Sequence, residues 1–311
     1  MNFHHVSVLY EQSISGLNIK ENGIYVDATL GGGGHAYGIC QTLKGKGQVI
    51  GIDQDINAIK AAKQRLEDYK QCIQVVNDNF KNITVILRRL DIKGIDGAIM
   101  DLGVSSHQLD TPIRGFSYQH DAPLDMRMDV NSLIDAAQII NEYTSEALYH
   151  IIRDYGEEKW AKRIADYIVA ARAEKKIETT GELVEIIKQA IPAAARREGP
   201  HPAKRTFQAI RIAVNDELGI LKQAICDFVS SLKTGGRMSI ITFHSLEDRI
   251  VKQVFNELSK ACTCPPKFPV CVCHKQAKAK VITRKPIQAT AQEREDNPRA
   301  RSAKLRIIEK L

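Results

Sequence analysis

Val26-Asp27-Ala28-Thr29-Leu30-Gly31-Gly32-Gly33-Gly34-His35-Ala36 is the stretch on which the fold reading turns. Gly23 to Ala28 reads as a buried strand, and the four glycines that follow let a backbone pass close to a ligand without Cβ clashes before a helix begins. Outward from this turn, Gln48 to Asp53, Gln71 to Val76 and Gly97 to Asp101 read as further strands. Between the second and third, Ile59, Ala62, Leu66 and Tyr69 recur at helical spacing; between the third and fourth, Ile83, Ile86, Leu87 and Leu90 do the same. Strands alternating with helices imply right-handed crossovers and a mostly parallel sheet covered on both faces, an α/β fold of Rossmann type.

The rhythm then changes. From Thr111 to Arg205 no strand is predicted. Helices are expected over Thr144 to Tyr155 and over Glu157 to Ala173, the latter with Trp160, Ile164, Tyr167, Ile168 and Ala171 on one face. A third starts at the capping box Thr179-x-x-Glu182, buries Leu183, Ile186, Ile187 and Ala190, and stops at Pro192. One long helix is then expected to carry Phe207, Ile210, Val214, Leu218, Leu221, Ile225 and Phe228. The strand Gly236 to Phe243 resumes the alternation, and Lys280 to Arg284 and Ser302 to Ile308 are candidate closing strands. The economical division is one α/β domain in two parts, 1–110 and 206–311, interrupted by a helical insertion over 111–205.

The 311 residues, 43% hydrophobic and 26% charged, are ordinary globular values that exclude disorder over most of the length. No run of about 20 apolar residues offers a transmembrane helix, and the N-terminus lacks the basic start and apolar run of a secretory signal. Seven cysteines, an odd number, fit a reducing compartment better than a disulfide scaffold, so a cytoplasmic location is expected. The net charge of +7 is concentrated: Lys275 to Lys310 holds eleven Lys/Arg against four Asp/Glu, and the rest of the chain is neutral. A basic tail is the footprint of a nucleic-acid binder and equally that of a solvated surface.

The glycine turn admits two ligands. Asp53, at the end of the second strand, can accept both hydroxyls of a ribose, and Gly31-x-Gly33-x-x-Ala36 literally satisfies a dinucleotide fingerprint. Against NAD(P), Asp27 before the glycines is poorly suited to an anionic pyrophosphate; it could meet a cationic amino group or order the turn. Asn77-Asp78-Asn79-Phe80 offers polar groups and a ring face to an adenine, and Asp101 ends the fourth strand at the reacting end of the site. Together these favour S-adenosylmethionine.

Seven blocks carry a resemblance: Asp101-Leu102-Gly103-Val104-Ser105-Ser106-x-Gln108-Leu109-Asp110, Arg114-Gly115-Phe116-Ser117, Pro123-Leu124-Asp125-Met126-Arg127-Met128, Tyr155-Gly156-Glu157-Glu158, Arg205-Thr206-Phe207-Gln208-Ala209, Thr242-Phe243-His244-Ser245-Leu246-Glu247-Asp248-Arg249 and Asn297-Pro298-Arg299-Ala300-Arg301-Ser302. From His4 to the C-terminus the chain resembles the RsmH (MraW) family of bacterial 16S rRNA cytidine N4-methyltransferases. The resemblance implies a class I methyltransferase domain with an inserted helical, substrate-recognising domain. It also implies S-adenosylmethionine as cofactor and N4 methylation of a cytidine in the decoding region. The partner it implies is 16S rRNA within the small ribosomal subunit, with no membrane involved and a homodimer left open. Carried over position by position, Gly33, Gly34, His35, Asp53, Phe80, Asp101 and Gln108 should line the cofactor site.

Methyl transfer to an exocyclic amine is an in-line displacement that needs nitrogen and methyl held at ~3–3.5 Å. An acceptor for the N4 protons would help the nitrogen pyramidalise, and no covalent nucleophile is required. The absence of a Pro-Cys dipeptide argues against cytosine C5 chemistry. The candidate catalytic residues are Asp101, Ser105 and His244, although Asp101-Leu102-Gly103-Val104 departs from the acidic or amide, Pro-Pro, aromatic pattern of many amino-methyltransferases. His244 and Ser245 could equally cap a helix. Arg196, Arg197, Lys204, Arg205 and Arg211 could neutralise phosphates, and Phe116 and Tyr118 could stack on bases, with ordinary surface or core roles the alternative for each. Cys262-x-Cys264 and Cys271-x-Cys273 form a four-thiol box. Such thiols can bind zinc, but the spacing departs from Cys-x-x-Cys, and reduced or redox-sensitive thiols are the alternative, so no residue is assigned to a metal.

Overall fold

The computed structural model describes residues 7–197, 199–262, 264, 273 and 275–311, the side chain of Ser106 excepted. The chain separates into two compact units, one formed by Met1–Gly103 with Leu218–Leu311 and the other by Val104–Glu217.

The first unit is built on an eight-stranded sheet: β1 (Ile24–Asp27), β2 (Gln48–Asp53), β3 (Ile73–Asn77), β4 (Ile95–Asp101), β5 (Leu232–Thr242), β6 (Ala279–Val281), β7 (Ile287–Gln288) and β8 (Lys304–Lys310). The order is β3-β2-β1-β4-β5-β8-β6, with β7 paired to β8. The pairs β1–β2, β2–β3, β1–β4 and β4–β5 are parallel; those made by β8 are antiparallel. The expected α/β architecture is therefore present. Its helices are α1 (Tyr10–Gly16), α2 (Gly34–Leu43), α3 (Ile56–Arg65), α4 (Ile83–Arg89), α11 (Leu221–Ser231), α12 (Ser245–Ser259) and α13 (Ala291–Asp296).

Alternation along the strands explains why both sheet faces need cover. Val26 and Ile50 point into one core with Ile83, Ile225, Phe228 and Phe255. Their neighbours Tyr25 and Val49 point into the other with Ile39, Leu43 and Leu66. Strands buried on both faces read as continuous apolar runs, which is how they are written here. The chain runs outward from β1 to β3 and returns to place β4 on the other side of β1. The carboxyl ends of β1 and β4 thus form the switch point where such sheets hold ligands.

The second unit is helical: α5 (Ser106–Asp110), α6 (Ala136–Glu142), α7 (Ser145–Gly156), α8 (Ala161–Glu174), α9 (Thr180–Ala190) and α10 (Lys204–Asn215). Leu148, Ile152, Ile164, Ile168, Leu183, Ile187, Ile210 and Val214 share one core. The Thr179–Glu182 capping box forms, with Thr179 Oγ1 accepting from the Glu182 N–H at 3.2 Å. Two expectations are corrected. Tyr167 is 36% exposed rather than on the packed face of α8. The long helix from Phe207 to Phe228 is two helices, because Asp216 takes a left-handed conformation (φ 48°) that ends α10 before α11 begins at Leu221. Among the described residues no helix is long and apolar enough to cross a membrane.

Candidate active site

The glycine turn is laced from behind. Asp27 is 1% exposed, and its carboxylate accepts from the Thr29 N–H at 3.3 Å and from the Ala36 N–H at 3.0 Å, gripping both ends of the turn. Burial pushes its carboxyl up to about 7, against the pull of these amides. Of the two uses open to Asp27, ordering the turn is the one its contacts display.

Gly31 (φ 50°) and Gly33 (φ 76°) take left-handed backbone that other residues reach at a cost. A Cβ on Gly33 would press on Leu66 at 2.9 Å, and one on Gly34 would collide with the Ser7 hydroxyl. At Gly32 the same atom would meet nothing within 4 Å. The turn is packed tightly on its inner side and open at Gly32, so a ligand can lie against bare backbone there.

Three acidic side chains stand around this turn at the strand ends. Asp53 accepts from the Gly31 N–H at 2.7 Å and from the Asp55 N–H at 2.8 Å, one on each carboxylate oxygen. Burial raises it to about 6, the Asp55, Gly31 and Gln54 backbone N–H groups pulling the other way. Its own carbonyl takes the Asn77 amide at 2.9 Å, joining β2 to the β3 turn, where Asn79 bonds Gln54 and Phe80 starts a short 3-10 turn packed against the sheet core.

Asp101 completes the set. Its N–H donates to Thr29 Oγ1 at 2.6 Å, which pins the end of β4 to the glycine turn, and its Oδ2 lies 3.8 Å from His35 Nδ1. His35 is itself buried, its ring stacked on Tyr10 and its Nε2 3.3 Å from the Val8 carbonyl. Asp101 Oδ1 is buried with no hydrogen-bond partner among the described residues. Burial, then Asp27, then Glu247, hold this carboxyl well above the ordinary carboxylate range. An anion so placed is costly without a partner, and an incoming cation or N–H donor would satisfy it. The sequence reading did not single out Thr29; the signal was a hydroxyl residue two places beyond Asp27, at the mouth of the turn.

Residues 2–311 match the MraW methylase family. The chain belongs to that family. It is accordingly an enzyme, a methyltransferase. Relatives in the MraW family include two proteins named ribosomal RNA small subunit methyltransferase H. The one from Clostridium botulinum (strain Kyoto / Type A2) is 60% identical, and the one from Clostridioides difficile (strain 630) is 57% identical; in each case all of both chains is covered. A solved structure of an rRNA methylase from Streptococcus thermophilus has a TM-score of 0.44 at 14% identity, covering 99% of each chain.

In this MraW-family chain the remaining sequence-derived candidates lie in two places. His244 follows β5 in the sheet unit and caps α12. Its Nδ1 accepts from the Glu247 N–H at 3.4 Å, its Nε2 is 3.1 Å from Glu247 Oε1, and the Glu247 carboxylate accepts the Phe243 and His244 N–H groups. Ser105 and Gln108 belong to the helical unit and form the capping box of α5: Ser105 Oγ accepts from the Gln108 N–H at 3.2 Å, and Gln108 Oε1 from the Ser105 N–H at 2.9 Å. Ser-x-x-Gln was legible as such a box.

Several residues assigned to RNA are engaged otherwise. Phe116 is buried, and Tyr118 stacks on His201 at 4.6 Å with its edge to Phe207. Arg205 donates to the Glu157 carbonyl and Arg211 pairs with Glu217 at 2.8 Å. Their rings and charges hold the helical unit together. Of the cysteine box, Cys271 lies outside the described residues.

Proposed function

We propose that this methylase transfers the methyl group of S-adenosylmethionine to N4 of a cytidine in the decoding region of 16S rRNA, within the small ribosomal subunit and in the cytoplasm. The observation that carries the proposal is the buried, unpartnered Asp101 Oδ1 at the switch point, beside a turn open at Gly32. The donor set fits this cofactor: a carboxyl lacking a partner suits an ammonium or amine N–H, and bare glycine backbone suits close approach of a ligand. The bound cofactor supplies an electrophilic methyl on a sulfonium.

The chain's own groups do the rest. Beyond its bonds from backbone N–H groups, the Asp53 carboxylate retains acceptor capacity for the ribose hydroxyls. Gly33, Gly34 and His35 shape the turn, Phe80 offers a ring to the adenine, and Gln108 completes the residues assigned to the cofactor. Asp101 takes N–H groups at the reacting end, where a neighbouring positive charge favours its ionised form. Ser105 and His244 are the further acceptors for the N4 protons, and the proton leaves to a carboxylate or to water after transfer. The helical domain recognises the RNA. Arg196 donates to the Ile191 carbonyl at 3.1 Å, while Arg197 and Lys204 make no side-chain hydrogen bond or ion pair among the described residues and are assigned to phosphate.

The test is transfer of labelled methyl groups to small subunits from cells lacking this gene, followed by nucleoside analysis. N4-methylcytidine is expected. Label in another nucleoside overturns the base assignment, and no label on subunits or naked rRNA overturns the substrate class.

A further inference from the structure

Between the end of α12 at Ser259 and the start of β6 at Ala279 the chain makes an excursion whose base is closed by the Lys278 N–H donating to the Leu258 carbonyl at 2.9 Å. Lys275 Nζ reinforces the closure on the Glu257 carbonyl at 3.0 Å. Within the excursion the sulfurs of Cys262, Cys264 and Cys273 lie within 4.8 Å of one another. We propose that these three cysteines bind a zinc ion as thiolates, in a structural site remote in function from methyl transfer.

Three features of the cluster support the assignment. The Cys262 and Cys273 sulfurs are 3.7 Å apart. Zinc–sulfur bonds of about 2.3 Å in a tetrahedron require sulfurs ~3.8 Å apart, so this pair already spans one edge of such a site, whereas a disulfide needs about 2.05 Å. The Cys264 N–H points at Cys262 Sγ at 3.4 Å, and a backbone donor on a sulfur favours the thiolate and orients it as a ligand. Soft sulfur donors without carboxylates select zinc over the hard cations.

The Cys-x-Cys spacing, awkward for a knuckle when read alone, is resolved by where the third ligand comes from. Cys262 and Cys264 supply two sulfurs from the end of the excursion nearer α12, and Cys273, eleven residues after Cys262, supplies the third from the end nearer β6. A metal there cross-links these positions, and its binding free energy becomes folding free energy of this segment.

The full-length protein, expressed with added zinc and purified without a metal-chelating column, should carry about one zinc per chain by elemental mass spectrometry. Cobalt reconstitution should give sulfur-to-metal charge-transfer absorption. Cys262→Ser with Cys273→Ser should remove the metal and the absorption, while Cys226→Ser, away from the cluster, should retain both. If the double variant fails to fold, the wild-type protein can be stripped with a mercurial and chelator and titrated with zinc; one equivalent taken up stoichiometrically supports the site. Metal-free protein with all seven thiols titratable overturns the proposal. A mapped Cys262–Cys273 disulfide without metal overturns it in favour of a redox pair.

Discussion

In the sheet unit Asp27, Asp53 and Asp101 are all held above the ordinary carboxylate range, burial being the first cause in each case. In the helical unit Asp125, Asp154, Asp166 and Glu182 are all held below it. Asp125 is lowered against its own burial by Arg127 at 2.7 Å, Asp154 by Arg153 and Asp166 by Lys162. Glu182 falls to about 2 through Lys175 and the Glu178 and Thr179 N–H groups. Asp248 shows that the sheet unit can also pair its acids, since Arg306 and Lys304 hold it low against its burial. What separates the groups is therefore location: among the described residues no Lys or Arg pairs with the acids around the glycine turn, where Asp101 faces only the His35 ring, whereas each lowered acid named here has such a partner. Protein stability would be served by pairing all of them, so the unpaired cluster marks where a ligand's positive charge belongs.

The sharpest way to break this comparison is Asp101→Asn. It keeps the shape, removes a costly charge, and is expected to lower kcat/KM by about 10²–10⁴-fold without lowering thermal stability. Full activity would remove Asp101 from the site.

The second test is pH. A carboxyl raised in the folded state binds protons more tightly there than in the unfolded chain, so its stabilising contribution is complete below the unfolded value near 4 and is lost as pH rises through the folded value. For Asp27 at about 7 and Asp53 at about 6, lowering the pH from 7 to 5 should stabilise the sheet unit by ~3–4 kcal/mol. The helical unit's lowered acids act only below about pH 4, while His201, lowered by burial, loses stabilising weight as pH falls through about 6.5, so the helical unit should lose a little stability over the same interval. Hydrogen exchange of β1 and β4 amides, set against the fluorescence of Trp160 (the chain's single tryptophan, placed in the helical unit), separates the two; parallel curves would dissolve the contrast.

Asp53→Ala comes next. It should weaken S-adenosylmethionine binding by about 1.5–3 kcal/mol in titration calorimetry, and an unchanged affinity would return Asp53 to a purely turn-forming role. Smallest, Thr179→Ala should cost the helical unit about 1 kcal/mol in denaturant unfolding followed at Trp160, the usual worth of an N-cap.

The sheet was legible because its strands are buried on both faces and leave uninterrupted apolar runs between glycine and polar turns. The helix break at Asp216 was not, because apolar spacing continues through it. Phe207, Ile210 and Val214 feed the helical core, while Leu221, Ile225 and Phe228 feed the sheet core, and periodicity carries no label for which core a residue enters. The stop signals were present in Asp216 and Gly219 but were outweighed by that spacing. In the site, strand-end carboxylates were readable from position alone. The hydroxyl of Thr29 was not, and the sequence left Phe116 and Tyr118 open between core and RNA roles, since both depend on neighbours distant in sequence.

The place of β8 has a consequence for how the chain is made. It follows the other seven described strands in sequence, yet it lies inside the sheet, between β5 and β6, rather than at an edge. Leu9, near the beginning, is meanwhile tied to Glu293, near the end, by an N–H to carboxylate bond of 2.6 Å. The helical unit is one continuous segment and can close while translation proceeds. The sheet cannot close its hydrogen-bond ladder until β8 has been made, so the catalytic unit is completed after the helical unit that interrupts it.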